Sequence, residues 1–142
     1  MGGVGAWLKT RGPERKLSPK SKVTVRQVAE RERDFGSRES LESALKYDTT
    51  VPLARMMLAN VMEKEELAKE EGQHDAAVLA RAAHWRRYDL DRLPYDDPKL
   101  WARAAEILRE LPEAQVGVGP RPITAGEAAN QAESKATALQ EK

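Results

Sequence analysis

Apolar residues recur every three or four positions along most of this chain, the spacing of one face of an α-helix, and rarely alternate as a strand would. Thr24-Val25-Arg26-Gln27 opens the pattern as a capping box, the Thr hydroxyl and the Gln side chain each satisfying an orphan backbone amide. Val25, Val28, Ala29 and Phe35 follow, then Gly36-Ser37 interrupts before Leu41, Ala44 and Leu45, so the spacing predicts two helices or one kinked helix ending near Tyr47. Asp48-Thr49-Thr50-Val51-Pro52 reads as a turn with Pro52 in the first turn of the next helix. Across residues 53–67, Ala54, Leu58, Val61 and Met62 make an apolar stripe that Met57 widens, and Gly72 stops the charged end that follows. Asp75 caps a segment to about Leu90 with Val78, Leu79, Ala82, Ala83 and Trp85 on its apolar face, and Pro94 lies beyond its end. Asp97-Pro98 then starts a helix carrying Leu100, Trp101, Ala104, Ala105, Ile107, Leu108 and Leu111. Only Val23-Thr24-Val25 alternates with β-branched residues, which is too short for a sheet, so the fold class expected is all-α.

Glycine and proline divide the chain. Residues 1–23 hold Gly2, Gly3, Gly5, Gly12, Pro13 and Pro19 and read as a flexible basic lead-in. Residues 24–111 read as the helical domain, and residues 112–123, with Pro112, Gly117, Gly119, Pro120 and Pro122, as a linker. Residues 124–142 repeat the capping-box pattern at Thr124 to Glu127, but Ala128, Ala129, Ala132, Ala136, Ala138 and Leu139 offer so little apolar surface that a weak, lightly docked, fraying helix is expected.

Composition narrows the chemistry. In 142 residues, Lys and Arg number 24 and Asp and Glu 23, a net charge of +1 that by itself selects neither nucleic acid nor an anionic membrane. The absence of cysteine excludes disulfides and thiolate chemistry, and two histidines leave any all-protein zinc site dependent on carboxylates. No apolar run approaches a membrane span and no signal-peptide pattern opens the chain, so a cytoplasmic protein is the expectation. His74 and His84 lack ligand spacing, and Gly2-Gly3-Val4-Gly5 and Gly117-Val118-Gly119 lack the strand, Lys and hydroxyl of a phosphate loop. The acidic pairs Asp96-Asp97 and Glu70-Glu71 show no setting that would drive their pKa values apart. No metal, cofactor or catalytic residue is expected.

Two passages are related, Asp48-Thr49-Thr50-Val51-Pro52-Leu53-Ala54-Arg55-Met56-Met57-Leu58-Ala59 and Asp97-Pro98-Lys99-Leu100-Trp101-Ala102-Arg103-Ala104-Ala105-Glu106-Ile107-Leu108. Preceded by Ala44-Leu45-Lys46-Tyr47, the first resembles the junction between tetratricopeptide repeats, where one repeat ends in Ala-Leu-x-x-Asp-Pro. In the second, Trp101 stands where that family often places an aromatic residue. The resemblance spans residues 41–111. It departs from the pattern where Thr49 replaces the usual proline, where Arg55 takes the aromatic position, and where Arg55 and Trp101 stand 46 residues apart against a period of about 34. It implies antiparallel helical hairpins in a degenerate right-handed superhelical array. Trp7-Leu8-Lys9, the run from Leu17-Ser18-Pro19-Lys20 to Val25, and Glu39-Ser40-Leu41-Glu42-Ser43-Ala44-Leu45 also resemble the helical C-terminal tail that follows WD-repeat propellers in long bacterial proteins, some with serine/threonine kinase domains. That second resemblance implies a segment of a longer protein, with no activity of its own.

The tetratricopeptide resemblance implies a non-catalytic protein-interaction or scaffold module, within or beside a larger assembly, that holds a protein or peptide in a groove lined by residues 52–67 and 98–111. Arg55, Asn60, Lys64, Trp101 and Arg103 are its candidate contacts, while core packing of Trp101 and snorkelling of Arg55 are the plain structural alternatives. A nucleic-acid adaptor is the competing reading: Lys9, Arg11, Arg15, Lys16, Lys20, Lys22 and Arg26 face only Glu14 within the first 26 residues, although only Trp7 there is able to stack on bases and a solvated tail is the simpler account. Regulation of a linked propeller or kinase domain is a third. Arg81, Arg86, Arg87 and Arg92 with Trp85 and Tyr88 would either clamp a phosphate or pair with Asp89 and Asp91 as a surface ion network.

Overall fold

The computed structural model describes residues 23–141. The basic candidates Lys9, Arg11, Arg15, Lys16, Lys20 and Lys22, with Trp7, lie outside the described residues. The described chain is predominantly helical and divides into two compact units between Val51 and Pro52.

The first unit contains α1 (Val25–Phe35) and α2 (Arg38–Tyr47). Thr24 caps α1 with the expected reciprocal box to Gln27, and Gly36 ends it at φ 82°, a left-handed conformation that a side chain would strain. Ser37 then caps α2 by accepting the Ser40 amide, so the Gly-Ser interruption makes two helices instead of a kink. The helices run antiparallel: Ser43 of α2 hydrogen-bonds Glu32 of α1 at 3.3 Å, and the Arg26 guanidinium reaches Asp48 and, at 2.7 Å, Thr50 just past α2. Ala29, Leu41 and Ala44 are buried, whereas Phe35 is 78% exposed.

The second unit is built from two helical hairpins. In the first, α3 (Ala54–Leu67) and α4 (Ala76–Asp91) run antiparallel, since the start of α3 bonds the end of α4 through Met56 and Asp89 while Glu66 near the end of α3 accepts the amide of Asp75 at the start of α4. The second pairs α5 (Pro98–Leu108) with α6 (Ala125–Gln140); Trp101 early in α5 meets Lys135 late in α6, and Arg109 just past α5 meets Asn130 and Glu133. The hairpins join through α3 and α5, where Asn60 donates to the Ile107 carbonyl.

Three local departures from the sequence expectations have physical causes. Pro52 does not enter α3: Leu53 takes the N-cap at φ 73° with its side chain fully buried, and α3 begins at Ala54. Burial of Leu53 in the core offsets the roughly 1–2 kcal/mol cost of a left-handed non-glycine residue. α5 stops at Leu108, and isolated turns carry the chain to Leu111. Residues 112–123 are not a bare spacer, because Ala114 and Val116 are buried and Gln115–Val116 (β1) pairs antiparallel with Ile123–Thr124 (β2). This segment is anchored at Gly117, whose amide donates to the Ala83 carbonyl of α4 at 2.9 Å and whose φ of 87° suits glycine.

The largest correction concerns α6. Far from lightly docked, Ala125, Ala128, Ala129, Ala132 and Ala136 are buried along one face and, all but Ala136, pack in the cluster of Ala104, Ala105, Ile107 and Leu108. Alanine buries little area per residue, but its small side chain lets two helix axes approach closely, and shape fit supplies what area lacks. The amides of Ala125 and Gly126 further tie the start of α6 to the carbonyls of Ala114 and Pro112, at 2.7 and 2.8 Å.

Candidate functional site

The polar residues on the inner faces of α3 and α4 set the stage for the site. Asn60, Glu63 and Glu66 stand at i, i+3 intervals on α3, and Arg86 and Asp89 at the same interval on α4, which brings them together where the antiparallel helices meet. Arg86 is fully buried. Its Nε donates to Asn60 Oδ1 at 3.0 Å, and its Nη1 donates to Glu63 Oε1 at 2.9 Å and to the Gln115 carbonyl at 3.1 Å. Asn60 also donates from Nδ2 to the Ile107 carbonyl, one of the last carbonyls of α5. One guanidinium thus links α3, α4 and the strand segment.

Asp89 performs a second structural task. Its Oδ2 accepts the Met56 amide at 2.7 Å and so caps α3, whose own N-cap residue, Leu53, has no side-chain acceptor. Burial pushes the Asp89 carboxyl up to about 6, outweighing the α3 amides and the nearby Arg55 and Arg92 charges that favour its ionised form. Glu66 moves the other way: the Asp75 amide and then the Lys69 ammonium, at 2.7 and 3.0 Å, hold its carboxyl below the usual range. In the first unit, burial raises Asp48, but the hydroxyl and amide of Thr50 and the Arg26 guanidinium overcome it and leave the carboxyl below its ordinary value.

Above the Arg86–Glu63 pair, the end of α3 and residues 111–114 enclose a cleft of about 410 Å³ lined by Glu63, Leu67, Leu111, Pro112, Glu113 and Ala114. That volume lies within the range of ligand-binding pockets, and its walls are mostly apolar. Leu67 is 46% exposed at its edge. A larger depression of about 530 Å³ lies along α6, but it is lined by Asn130, Glu133, Ser134, Thr137, Ala138 and Glu141, a row along one helix and its C-cap with a single apolar member. Among the described residues, no group of three or more His, Asp or Glu is placed to hold a metal ion, and no helix is long and apolar enough to cross a membrane.

The five sequence candidates do not share one surface. Asn60, only 2% exposed, cannot meet a partner, because its carboxamide is held inside by Ile107 and Arg86. Lys64, one turn on, is exposed and pairs with Glu110 at 3.1 Å. Arg55 is half-buried, its guanidinium 4.7 Å from the centre of the Tyr88 ring. Trp101 is half-buried, donates from Nε1 to the Pro94 carbonyl at 2.8 Å and carries Lys135 over its ring. Arg103 is half-buried on α5. None of the five lines the cleft. Arg26 is engaged with Asp48 and Thr50 instead of extending from the basic arm.

The second basic cluster is also divided by the fold. Arg86 goes inside, Arg92 lies 3.5 Å from the centre of the Tyr88 ring, and Arg87 pairs with Asp91 at 3.4 Å. The cleft itself escaped sequence reasoning because Leu67 and Leu111 stood as last apolar positions of separate helices and Pro112 as the first residue of a linker. A usable signal was present in Asn60 and Glu63, polar residues three apart that interrupt the apolar run begun at Met56. No family model, curated protein or solved structure matches this chain.

Proposed function

We propose that this protein is a non-catalytic interaction module, a degenerate tetratricopeptide-like array of helical hairpins that receives a segment of another protein in the cleft between the end of α3 and residues 111–114. The observation that carries this reading is the cleft itself, an apolar-walled concavity with a half-exposed leucine at its edge and a fully buried guanidinium network beneath it. Rigid support of this kind reduces the ordering cost that binding must overcome. The buried titratable groups nearby are engaged structurally: Asp89 caps α3, Glu66 holds the start of α4, and Arg86 and Glu63 hold each other. The succession of α3/α4 and α5/α6 as antiparallel hairpins supports the repeat-like reading, although the 46-residue offset between Arg55 and Trp101 makes the first hairpin longer than the family's unit.

Photo-crosslinking from position 67, in the full chain and in the cells that express it, tests the reading. The expected result is one discrete protein adduct whose purified partner binds the Leu67→Glu chain about tenfold more weakly, with helix content unchanged. Dispersed adducts with no loss on substitution would overturn it. So would a chain that binds oligonucleotides with an affinity falling steeply in salt, since that is the signature of phosphate contacts made by the basic arm.

A further inference from the structure

Resting on the interaction reading, we infer that the occupant of the cleft is a basic side chain of the partner, arginine above all, with its methylenes on Leu67, Leu111 and Pro112 and its cation on Glu63 and Glu113. The cleft offers both halves of that recognition. Of its described lining residues four are apolar and two are carboxylates. Glu63 gives Oε1 to Arg86, and among the described residues its Oε2 takes no hydrogen bond. The only buried side-chain polar atom without a partner among the described residues is Arg86 Nη2, so Glu63 Oε2 is not sealed from solvent. A carboxylate oxygen fixed in place by a buried guanidinium, open on its other side and set among apolar walls, is an acceptor held ready for a donor.

The neighbouring charges leave that acceptor uncontested. Lys64 pairs with Glu110 and Lys69 with Glu66, and neither lysine lines the cleft. Arg86, the one cation among the described residues that pairs with Glu63, is fully buried. An anionic ligand would face two carboxylates and, among the described lining residues, no cation, and a purely apolar one would leave Glu63 Oε2 desolvated without a donor, at a cost. A side chain with an apolar stem and a cationic tip satisfies both surfaces. Arginine fits better than lysine, because a planar, weakly hydrated guanidinium has five donors to divide between two carboxylates on opposite sides.

Titration of the isotope-labelled full chain with Nα-acetyl-argininamide, N-acetyl-leucinamide and Nα-acetyl-glutamic acid α-amide, which keeps its γ-carboxylate, followed by amide chemical shifts, decides the point. The arginine derivative is expected to shift Leu67, Leu111, Glu113 and Ala114 in a saturable manner, the glutamate derivative to leave them in place, and the leucine derivative to bind several-fold more weakly. Glu113→Gln should weaken the arginine derivative about three- to fivefold, the scale of one partly exposed ion pair. Glu63→Gln keeps an oxygen for Arg86 and should weaken it at least as much, provided its thermal melt stays cooperative; the exposed Glu113 carries the test if it does not. If the leucine derivative saturates the same amides as tightly, the basic occupant is wrong while the interaction cleft stands. If no probe shifts the cleft amides, or the arginine shifts spread along α6 and ignore Glu113→Gln, the basic occupant fails. A crosslinked partner at position 67 would then still uphold the interaction reading.

Discussion

The two hairpins of the second unit are closed by opposite means. The α3/α4 hairpin sets a polar network among its buried apolar residues: Asp89 caps the partner helix, Arg86 joins Asn60 to Glu63, and Glu66 takes the amide of Asp75. Between α5 and α6 the seam is alanine against alanine with Ile107 and Leu108 alongside, and the charged contact of Arg109 with Glu133 lies at the exposed edge. A polar seam fixes register through directional bonds but is exposed to pH and to the loss of any one partner. An alanine seam is indifferent to pH but intolerant of added volume. The cleft lies where the two meet, with Glu63 on one side and Leu111 to Ala114 on the other.

The sharpest way to break the contrast is Arg86→Met. Removing the guanidinium leaves Glu63 and Asn60 without their donor, and a loss of about 3 kcal/mol is expected in urea unfolding. The double change Arg86→Met with Glu63→Leu should recover more than half of it, because the uncompensated charge is then gone. Failure of that recovery would mean that the guanidinium matters chiefly through packing and the Gln115 carbonyl.

On the other seam, Ala129→Leu adds three heavy atoms at a fully buried position and should cost about 2 kcal/mol. The same change at exposed Ala138 on α6 serves as the control and should shift stability by less than about 0.5 kcal/mol. Equal effects at both positions would show that the α5/α6 contact is slack.

The smallest effect separates the seams by pH. Asp89 has a folded pKa of about 6 against an ordinary 3.8, so the folded state holds its proton more tightly between those values and stability falls as pH rises through that window. Lowering the pH from 7 to 5 should therefore add about 1 kcal/mol. Asp89→Asn keeps an oxygen for the Met56 amide and should abolish that slope, as measured by urea midpoints at several pH values. Below pH 5 the gain is opposed, because Asp48 and Glu66 have lowered pKa values and lose their contributions as they take up protons. An unchanged slope in the Asn variant would place the dependence on another group.

Much of the helical order was legible in the sequence. Thr24, Asp75, Asp97 and Thr124 each cap the helix that the pattern of small polar residues and apolar stripes predicts. The candidate site was far less legible. Groove membership depends on which face of a helix a neighbour covers, and Asn60, chosen for its polarity, lies inside with its carboxamide held by Ile107 and Arg86. The strength of α6 was illegible for a related reason: apolar area read one helix at a time undervalues an alanine face whose partner is another alanine face.

By itself, then, the sequence determined helix type, most helix starts and the reciprocal capping box at Thr24, because these follow from side chains within a few residues of one another. Only the tertiary structure decided that Leu53 takes a left-handed N-cap, that Asp89 caps a helix 33 residues away, and that Glu63 stands both against Arg86 and at the wall of a cleft. These outcomes depend on burial and on which distant groups meet, and a buried polar group settles where its hydrogen bonds are satisfied, whatever its place in the chain.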